Sequence, residues 1–166
     1  SLDEGPVYDV SEVEISDSDN RISLEKKLVA KAKLNIVDVI QKISNGLQPV
    51  PQGDNNVSYC RKITKEDGRI NFEETAKEIF NKYRAFSGWP GTYFEYKDTT
   101  IKIHGMHIID LDNNDAPGTI LDVIKDGIHI KVNDSLIVIT HIQLPGKKII
   151  NSSDIYNSYK DFFVEI

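Results

Sequence analysis

The stretch that decides the fold is Ile128-His129-Ile130-Lys131-Val132-Asn133-Asp134-Ser135-Leu136-Ile137-Val138-Ile139. In its first part, aliphatic side chains at 128, 130 and 132 alternate with His129 and Lys131, as in a strand that buries one face. This alternation predicts that Lys131 faces outward. Asn133-Asp134 favours a tight turn, and an aliphatic run begins directly after it. The stretch therefore predicts two strands joined as a β-hairpin.

The same strand pattern extends along most of the second half of the chain. The turn-forming pairs Asp98-Thr99 and Asp126-Gly127 separate neighbouring runs. Closely spaced strands must protect their edges, and a small barrel does so. Helices flank the runs, so the sequence predicts an α+β fold. The five runs with strand character are 92–96, 101–109, 119–124, 128–132 and 136–144.

Three segments have the apolar spacing of amphipathic helices. The first begins at Ser23, which we expect to cap it, and ends at Asn45-Gly46, where glycine tolerates a left-handed turn. The second begins after Asn71, with Glu74 completing a capping box, and the third begins at Ser153. The first helix needs a partner surface for its apolar stripe, and the residues before it contain little that could cover it.

A linker separates the first helix from the later elements. Residues 47–59 hold two prolines, a glycine and several amides, which is typical of a boundary loop. Four cations then follow within nine positions: Arg61, Lys62, Lys65 and Arg69. We therefore expect a first segment at 1–46, a basic linker at 47–70 and a domain at 71–166.

The charge balance restricts the function classes. The net charge is −6, and residues 1–59 hold 6 Lys and Arg against 10 Asp and Glu. Residues 60–166 are closer to neutral, with 14 against 16. Affinity for phosphate comes from clustered cations, so this composition argues against indiscriminate nucleic-acid binding. Local basic segments are the candidates for a phosphate contact.

The compartment is indicated by cysteine usage and by the lack of apolar segments. Cys60 is the only cysteine, so an internal disulfide is excluded, which fits the reducing cytosol. We expect Cys60 to be a small, partly buried filler. The longest aliphatic run, Leu136–Ile139, is far shorter than the ~20 residues that cross a bilayer, and the N-terminus does not have the pattern of a signal peptide. The sequence predicts a cytoplasmic location and no membrane association.

Histidines provide no metal site at the sequence level. His104 and His107 are three positions apart in a predicted strand, so we expect their side chains on opposite faces. Side chains on opposite faces cannot share an ion, and no cysteine or further histidine supplies a third ligand nearby. We therefore predict no bound metal.

Five short segments follow one another along almost the whole chain. They are Leu2-Asp3-x-Gly5-Pro6, Tyr59 with Lys62-Ile63-Thr64-Lys65-Glu66-Asp67-Gly68-Arg69-Ile70-Asn71-Phe72, Arg84-Ala85-Phe86 with Trp89-Pro90-Gly91-Thr92, Ala116-Pro117-Gly118-Thr119-Ile120, and Leu144-Pro145-Gly146-Lys147-Lys148. In content, order and separation they resemble segments of the methionyl-tRNA formyltransferase family. Each match is weak alone, and five in the right order make the resemblance specific.

The resemblance implies a fold and a reaction. The family transfers a formyl group from 10-formyltetrahydrofolate to the α-amine of methionine on initiator tRNA. By this likeness, residues 71–166 form an OB-like open β-barrel with flanking helices, which holds the tRNA. Residues 1–46 correspond to the terminal strand and helix of a Rossmann-like formyltransferase domain, and the folate-binding loop lies upstream of residue 1.

The resemblance also implies a catalytic residue. The family uses an Asn, a His and an Asp, and Asp3 matches the Asp, which positions and charges the His. The Asn and His belong upstream of residue 1, and Glu4 stands where the family has Thr. Formyl transfer passes through a tetrahedral oxyanion that needs preorganised donors and a proton shuttle. A lone carboxylate supplies neither, so we expect these residues alone to be inactive.

Six cations are the candidate contacts to tRNA phosphates. Such contacts fix the register of a bound RNA without reading its sequence. The alternative is that the linker cations are solvated and paired with Glu66 and Asp67, and that the later lysines only protect a strand edge. Lys102 alternates with aliphatic residues and so should face outward, where we expect ordinary surface, with a basic barrel face as the alternative. The six candidates are Arg61, Lys62, Lys65, Arg69, Lys147 and Lys148.

Arg84, Trp89 and Pro90 are predicted to be structural. Trp89 would pack the joint between helix and barrel, Pro90 would fix the chain direction, and Arg84 would pair with an acid or a carbonyl. The alternative is that Trp89 stacks on a base or a ribose.

Two other functions remain open at this stage. One is the C-terminal domain of a related formyltransferase that acts on a nucleotide sugar, and the other is a non-catalytic interaction module that uses residues 61–69. We expect a monomer, with pairing of two copies through residues 23–45 as the alternative.

Overall fold

The computed structural model describes residues 3–53, 57–111 and 114–164. Leu2 of the first family-like segment and residues 54–56 of the predicted linker lie outside the described residues. The chain divides into two compact units, Ser1–Lys62 and Ile63–Ile166. The division falls inside the stretch that we predicted as a linker.

The first unit is built around one long helix, α1 (Arg21–Ser44). Its N-cap is Asn20, whose side chain accepts hydrogen bonds from two backbone N–H groups of the first turn. Ser23 is the third helical residue and completes a capping box with Asn20, so the predicted cap was wrong by three positions. The predicted end is confirmed, because Asn45 is the C-cap and Gly46 follows with a φ of 95°.

Helix α1 buries none of its residues. Leu28, Ile36 and Ile40, which belong to the predicted apolar stripe, are each about half exposed. Within residues 1–46, where the resemblance implies a terminal strand, the described backbone pairs through one antiparallel bridge from Val7 to Val50, with both N–O distances at 2.8 Å. A strand needs a neighbour over several residues, and the described residues of this unit supply one pairing partner.

The buried carboxylate of Asp19 anchors the start of α1. It accepts hydrogen bonds from the Ser16 N–H at 2.8 Å, the Ser16 hydroxyl at 2.9 Å and the Ser23 hydroxyl at 2.8 Å. It also pairs with the ammonium group of Lys27. The Lys27 contact, followed by the bonds from Ser16 and Ser23, holds the pKa of the Asp19 carboxyl well below its usual range.

The second unit contains an antiparallel sheet. Its strands are β1 (Thr92–Tyr96), β2 (Thr99–Ile109), β3 (Ile120–Ile124), β4 (Gly127–Lys131), β5 (Leu136–Gln143) and β6 (Ile150–Asn151). They pair in the order β1-β2-β5-β4-β3, and β6 pairs with β5. Over the described residues β1 and β3 remain as edges, so the sheet is open and the expected small barrel does not close. The α+β class and the five predicted strands are confirmed, whereas β6 is too short to show an alternation.

Helix α2 (Ala76–Ala85) packs against β2. Its capping box is made by Thr75 and Glu78, so the predicted box of Asn71 and Glu74 was wrong. The Asn71 side chain instead accepts a hydrogen bond from the backbone two residues later, in a turn that precedes the helix. The pairs Asn71 with Glu74 and Thr75 with Glu78 both have the spacing of a capping box. Because a turn at Asn71 comes first, the helix begins four residues later than predicted.

Helix α3 (Ser152–Phe163) covers the other end of the sheet, against β3 and β4. It buries Ile155 and Phe163 completely or nearly so. Burial of such aliphatic and aromatic groups is the main stabilising contribution to the unit. The other fully buried core side chains include Ile79, Phe94, Ile101, Val123, Ile128, Ile130, Val132, Ile137, Ile139 and Ile142.

Strand β4 contradicts one prediction. Lys131, which we expected to face outward, is only 2% exposed. The strand lies between β3 and β5, and α3 packs against it, so Ile128, Ile130 and Lys131 are all buried. Alternation along a strand indicates one buried face only where the other face meets solvent.

An irregularity interrupts the pairing of β2 with β5. The register shifts on both sides of Gly105, and Ile103 and Met106, three positions apart, are both buried. Strict alternation of the side chains is therefore broken between these two residues. His104 and His107 are both exposed.

Further predictions concern metals, membranes and Cys60. Within the described ranges, no three His, Cys, Asp or Glu side chains are grouped to hold a metal ion. The helices of that part of the chain lack the length and apolar character needed to cross a membrane. Cys60 is exposed rather than partly buried, because residues 57–65 are all exposed and provide no core for it to fill.

Candidate nucleic-acid interface

The six predicted tRNA contacts are divided between the two units. Arg61 and Lys62 are exposed at the end of the first unit, and the Arg61 Nη1 donates to the carbonyl of Lys62 at 3.2 Å. The four in the second unit are also exposed: Lys65, Arg69, Lys147 and Lys148.

A short 3₁₀ helix, Glu66–Gly68, carries Lys65 immediately before it and Arg69 immediately after it. Thr64 holds the turn, because its N–H and its hydroxyl both donate to Asp67 Oδ2, at 2.7 and 3.1 Å. The carboxylate of Asp67 therefore helps to hold the turn, and the two flanking cations are exposed on either side of it.

Gly68 brings this loop against the segment that contains Trp89. It is buried, and a Cβ at this position would lie 2.2 Å from the carbonyl oxygen of Gly91 and 3.6 Å from Cγ of Pro90. Only glycine permits such an approach of two backbones. The loop that presents Lys65 and Arg69 is thus packed directly on the loop after α2.

Backbone pairing aligns four residues across the sheet, which we call the transverse row: Arg69, Tyr93, Lys102 and Gln143. Arg69 forms a parallel bridge with Tyr93, and the next N–H donates to the Tyr93 carbonyl at 2.8 Å. Tyr93 pairs with Lys102, and Lys102 pairs with Gln143. Paired residues share one face, and at ~5 Å per strand Arg69 and Lys102 lie about 10 Å apart.

The turn after β5 places the predicted lysine pair at one end of the transverse row. Gln143 Nε2 donates to the Lys147 carbonyl at 2.9 Å, and the Lys147 N–H donates to the Leu144 carbonyl at 3.0 Å. Gly146 supplies the left-handed conformation of the turn, with a φ of 69°. Lys147 and Lys148 are therefore exposed next to Gln143.

The cations of this face are not neutralised by neighbouring acids. The pKa of Glu66 is lowered by a hydrogen bond from its own backbone N–H, then by the Thr64 side chain, with a smaller contribution from Lys65. Within the described part of the chain, the cations that form no salt bridge include Lys65, Arg69, Lys102, Lys147 and Lys148. Their charge is available to an anionic partner.

Acids nevertheless restrict where an anion can bind. A cavity of about 450 Å³ beside Arg69 is also lined by Glu73 and Glu95. Two carboxylates repel a phosphate from its interior. A phosphate on this unit would therefore contact the exposed face of the transverse row rather than enter this cavity.

The three residues that we predicted to be structural, Arg84, Trp89 and Pro90, lie at the end of α2 and in the loop that follows it. Arg84 donates from Nη2 to Asn81 Oδ1 at 2.8 Å, and its guanidinium carbon lies 5.8 Å from the centre of the Phe80 ring. The side-chain carbonyl of Asn81 is thus among the partners of Arg84. Trp89 is 51% exposed, so only part of its ring packs at the joint, and Pro90 contacts the loop at Gly68.

Three residues of the face were missed at the sequence level as part of one surface: Tyr93, Lys102 and Gln143. Their alignment depends on strand register, which is set by the turn at Lys97 and Asp98, both with positive φ. We predicted the turn one residue later. A shift of one residue moves every side chain to the opposite face, so the sequence signal was present but placed inaccurately.

Asp3, the predicted catalytic carboxylate, is exposed. Its backbone carbonyl accepts a hydrogen bond from Gln52 Nε2 at 2.9 Å. The buried hydrophobic side chains of the described residues all lie in the second unit. The described residues around Asp3 therefore do not form an enclosed site for a pterin ring.

Comparison with known proteins gives consistent relatives. A family model described as the C-terminal domain of formyl transferases matches residues 62–160. A methionyl-tRNA formyltransferase of a Sulfurihydrogenibium species is 37% identical over 161 residues, which are 96% of this chain and 52% of that protein. One from Caldicellulosiruptor saccharolyticus is 36% identical over 161 residues, 96% of this chain and 51% of that protein. The chain spans about half the length of these relatives.

Solved structures with the same fold include variants of HypX from Aquifex aeolicus. One superposes with a TM-score of 0.68 at 16% identity and covers 100% of this chain and 30% of HypX. HypX in complex with tetrahydrofolic acid superposes with a TM-score of 0.64 at 16% identity, over 100% of this chain and 29% of HypX. At this identity the likeness concerns the fold alone.

Proposed function

The chain belongs to the family of formyl transferase C-terminal domains, and we propose that it is the tRNA-holding part of a methionyl-tRNA formyltransferase. The observation that carries this proposal is the 36–37% identity to proteins of that name across 96% of the chain. The parent protein would transfer a formyl group from 10-formyltetrahydrofolate to methionine on initiator tRNA, in the cytoplasm.

We propose a division of labour along the chain. Residues 71–166 would be an OB-like open barrel that binds tRNA, and residues 47–70 a basic linker. Residues 1–46 would be the terminal strand and helix of a Rossmann-like catalytic domain. The exposed apolar stripe of α1 supports this last assignment, because an amphipathic helix is stable when its apolar face packs on a partner.

The tRNA contacts would be electrostatic and would follow the transverse row. Arg69 and Lys102 would bind phosphates from the sheet, with Lys65 on one side and the Lys147-Lys148 turn on the other. Arg61 and Lys62 would add contacts from the linker. Phosphate contacts of this kind release counterions, so the affinity falls steeply as salt rises. The second unit holds 12 Lys and Arg against 16 Asp and Glu, and this net negative charge limits RNA binding away from this face.

The formyl-transfer chemistry would be carried out elsewhere in the parent protein. Asp3 would position and charge a histidine, and that histidine, its asparagine partner and the folate site are not among these residues. The exposed setting of Asp3 does not fit a bound folate, so we derive no catalytic step from this chain. We expect no turnover when the chain alone is mixed with formyl-folate and methionyl-tRNA; turnover above background would contradict this.

Initiator tRNA binding at two salt concentrations tests the proposal. We expect a gel shift whose dissociation constant rises steeply with salt. Replacing Lys147 and Lys148 together with alanine should reduce the logarithmic salt slope by about two, at ~0.9 per phosphate contact. The matched control is the double alanine variant of Lys26 and Lys33, two exposed lysines of α1. Binding that is absent, or indifferent to salt, would contradict the proposal.

A second candidate is a related formyltransferase that acts on a nucleotide sugar, or an interaction module that binds a protein. The fold likeness to HypX favours retaining this second candidate, because HypX contains a domain of the same fold and is not named a methionyl-tRNA formyltransferase. Either alternative predicts that tRNA binds no better than a duplex RNA of equal length.

A further inference from the structure

A small cavity lies beside the transverse row, between the end of α2 and strands β1 and β2. It has a volume of about 200 Å³. The lining residues that carry the argument are Tyr83, Phe86, Thr92, Tyr93, Lys102 and His104. Tyr93 and Lys102 belong both to the cavity wall and to the transverse row, so the cavity opens onto the proposed RNA-binding face.

We propose that this cavity, which we call the ring cavity, receives one unpaired nucleobase of an RNA whose backbone lies along the transverse row. The inference rests on the proposed function and extends it, because phosphate contacts alone do not require any base to leave its stack. Base recognition by single-stranded RNA-binding proteins uses aromatic stacking together with a few polar contacts.

The hydroxyl of Thr92 is the first argument. Thr92 is only 3% exposed, and its Oγ1 is buried without a hydrogen-bond partner among the described residues. Buried hydroxyl groups are almost always satisfied, because leaving one without a partner is unfavourable. Thr92 lines the ring cavity, and because its Oγ1 has almost no accessible surface, the side chain must rotate for a polar atom in the cavity to complete this bond. A hydroxyl both donates and accepts, as the edge of a nucleobase requires.

The aromatic wall is the second argument. Three aromatic residues, Tyr83, Phe86 and Tyr93, are among those that line one small space. Tyr83 is fixed in place because its hydroxyl donates to the carbonyl of His104 at 3.1 Å. Burial raises the pKa of Tyr83, so the phenol remains a donor at neutral pH. A fixed aromatic wall suits stacking with a planar ring.

Size and charge restrict the occupant. A volume of about 200 Å³ is below the ~300–1,000 Å³ of sites that enclose a whole cofactor or drug-sized ligand. One planar ring system fits, and the rest of a nucleotide must remain outside. Lys102 is exposed where that remainder would lie, and its ammonium group suits a phosphate. An apolar peptide side chain would leave Thr92 Oγ1 without its partner.

The test compares two labelled RNA hairpins that differ only in the loop, one with unpaired adenines and one with abasic sites. Both carry the same phosphates, so the difference in their affinities isolates the base. We expect the intact loop to bind more tightly and to quench the fluorescence of Trp89, the single tryptophan, which adjoins the cavity. Equal affinity for the two hairpins, or no binding of either, would overturn the inference.

Replacing Thr92 with valine removes the hydroxyl and keeps the shape. We expect about fivefold to tenfold weaker binding of the intact hairpin, the effect of one lost hydrogen bond, and no change for the abasic hairpin. The melting temperature should not fall, because no partner within the protein is lost. The matched control is Thr100→Val on β2, where the hydroxyl bonds to Glu95 outside the cavity. Unchanged affinity of the Thr92 variant would overturn the inference.

A second variant does not depend on the buried site. Lys102 is exposed, so Lys102→Ala should fold normally and should weaken both hairpins equally. If the unmodified protein prefers the intact loop but does not bind tRNA, the proposed function alone is contradicted. If it binds tRNA without that preference, the ring cavity alone is contradicted.

Discussion

Helices α1 and α3 carry apolar residues at the same helical spacing, yet they use them in opposite ways. In the second unit, α3 buries Ile155 completely, whereas in the first unit α1 leaves Ile36 53% exposed. Amphipathic spacing therefore indicates that a helix needs a partner surface, but it does not indicate which residues supply that surface. The second unit supplies that surface within its own residues, and the described residues of the first unit do not.

The largest expected effect separates the two helices directly. Ile155→Ala should destabilise the second unit by about 2–5 kcal/mol, because it opens a cavity in a closed core. The matched variant Ile36→Ala should change stability by no more than about 0.5 kcal/mol, as at other exposed positions. Urea unfolding followed by circular dichroism measures both. Equal losses would mean that the stripe of α1 is covered after all.

Glycine substitutions should have an intermediate effect on the free energy of unfolding, and they compare the second unit with the first in the same way. A Cβ on Gly105 would lie 2.3 Å from Thr140 Oγ1 and 2.6 Å from His141 Nδ1, so Gly105→Ala should destabilise the second unit by about 1–3 kcal/mol. A Cβ on Gly53, in the first unit, meets no atom of the described residues within 4 Å. Gly53→Ala should be neutral or slightly stabilising in the same unfolding measurement. A neutral Gly105 variant would show that the pairing irregularity can relax.

The first unit should depend on pH through one buried carboxylate, that of Asp19. The depressed pKa of Asp19 means that its contribution is complete above the unfolded value of about 3.9 and is lost as pH falls through the folded value. The helicity of α1 should therefore hold at neutral pH and decline only in strong acid. Asp19→Asn should lower the melting temperature at pH 7, and the difference from the parent should vanish in acid.

The control for Asp19 is Asp38→Asn. Asp38 pairs with Lys42 at 2.7 Å on the exposed face of α1, where both side chains are more than half exposed. Exposed pairs contribute little to stability. A melting temperature that falls as much for Asp38→Asn as for Asp19→Asn would show that burial of the Asp19 carboxylate is not what matters.

The smallest expected effect concerns association. We expect light scattering to give the mass of one chain, and Ile36→Glu to leave that mass unchanged. A dimer mass that reverts to a monomer in this variant would mean that two copies cover their α1 stripes with each other.

The strands were predictable because their signal is local. Five runs with strand character and the turn residues between them appear directly in the sequence, and the structure contains a strand at each. Lys131 was mispredicted because burial on both faces of β4 depends on its neighbours and on α3. The irregularity beside Gly105 could not be predicted, because a strand pattern by itself does not reveal where the pairing register shifts.

The candidate interface was predictable only in part. The clusters at 61–69 and 147–148 are visible as runs of cations. The transverse row joins residues from three strands and one loop, so it exists only once the register is known. The helix caps show the same limit on a smaller scale, because Asn20 and Thr75 satisfy the capping rule as well as the residues that we chose.

The side-chain amide of Gln143 determines which ring nitrogen of His104 carries hydrogen. Its Nε2 is used as a donor to the Lys147 carbonyl, so its Oε1, 3.1 Å from His104 Nε2, can only accept. A neutral His104 must then be the Nε2–H tautomer, with a lone pair on Nδ1. The imidazole at the ring cavity would thus offer an acceptor to a base amino group or a ribose hydroxyl, and nitrogen NMR shifts of His104 would reveal that tautomer.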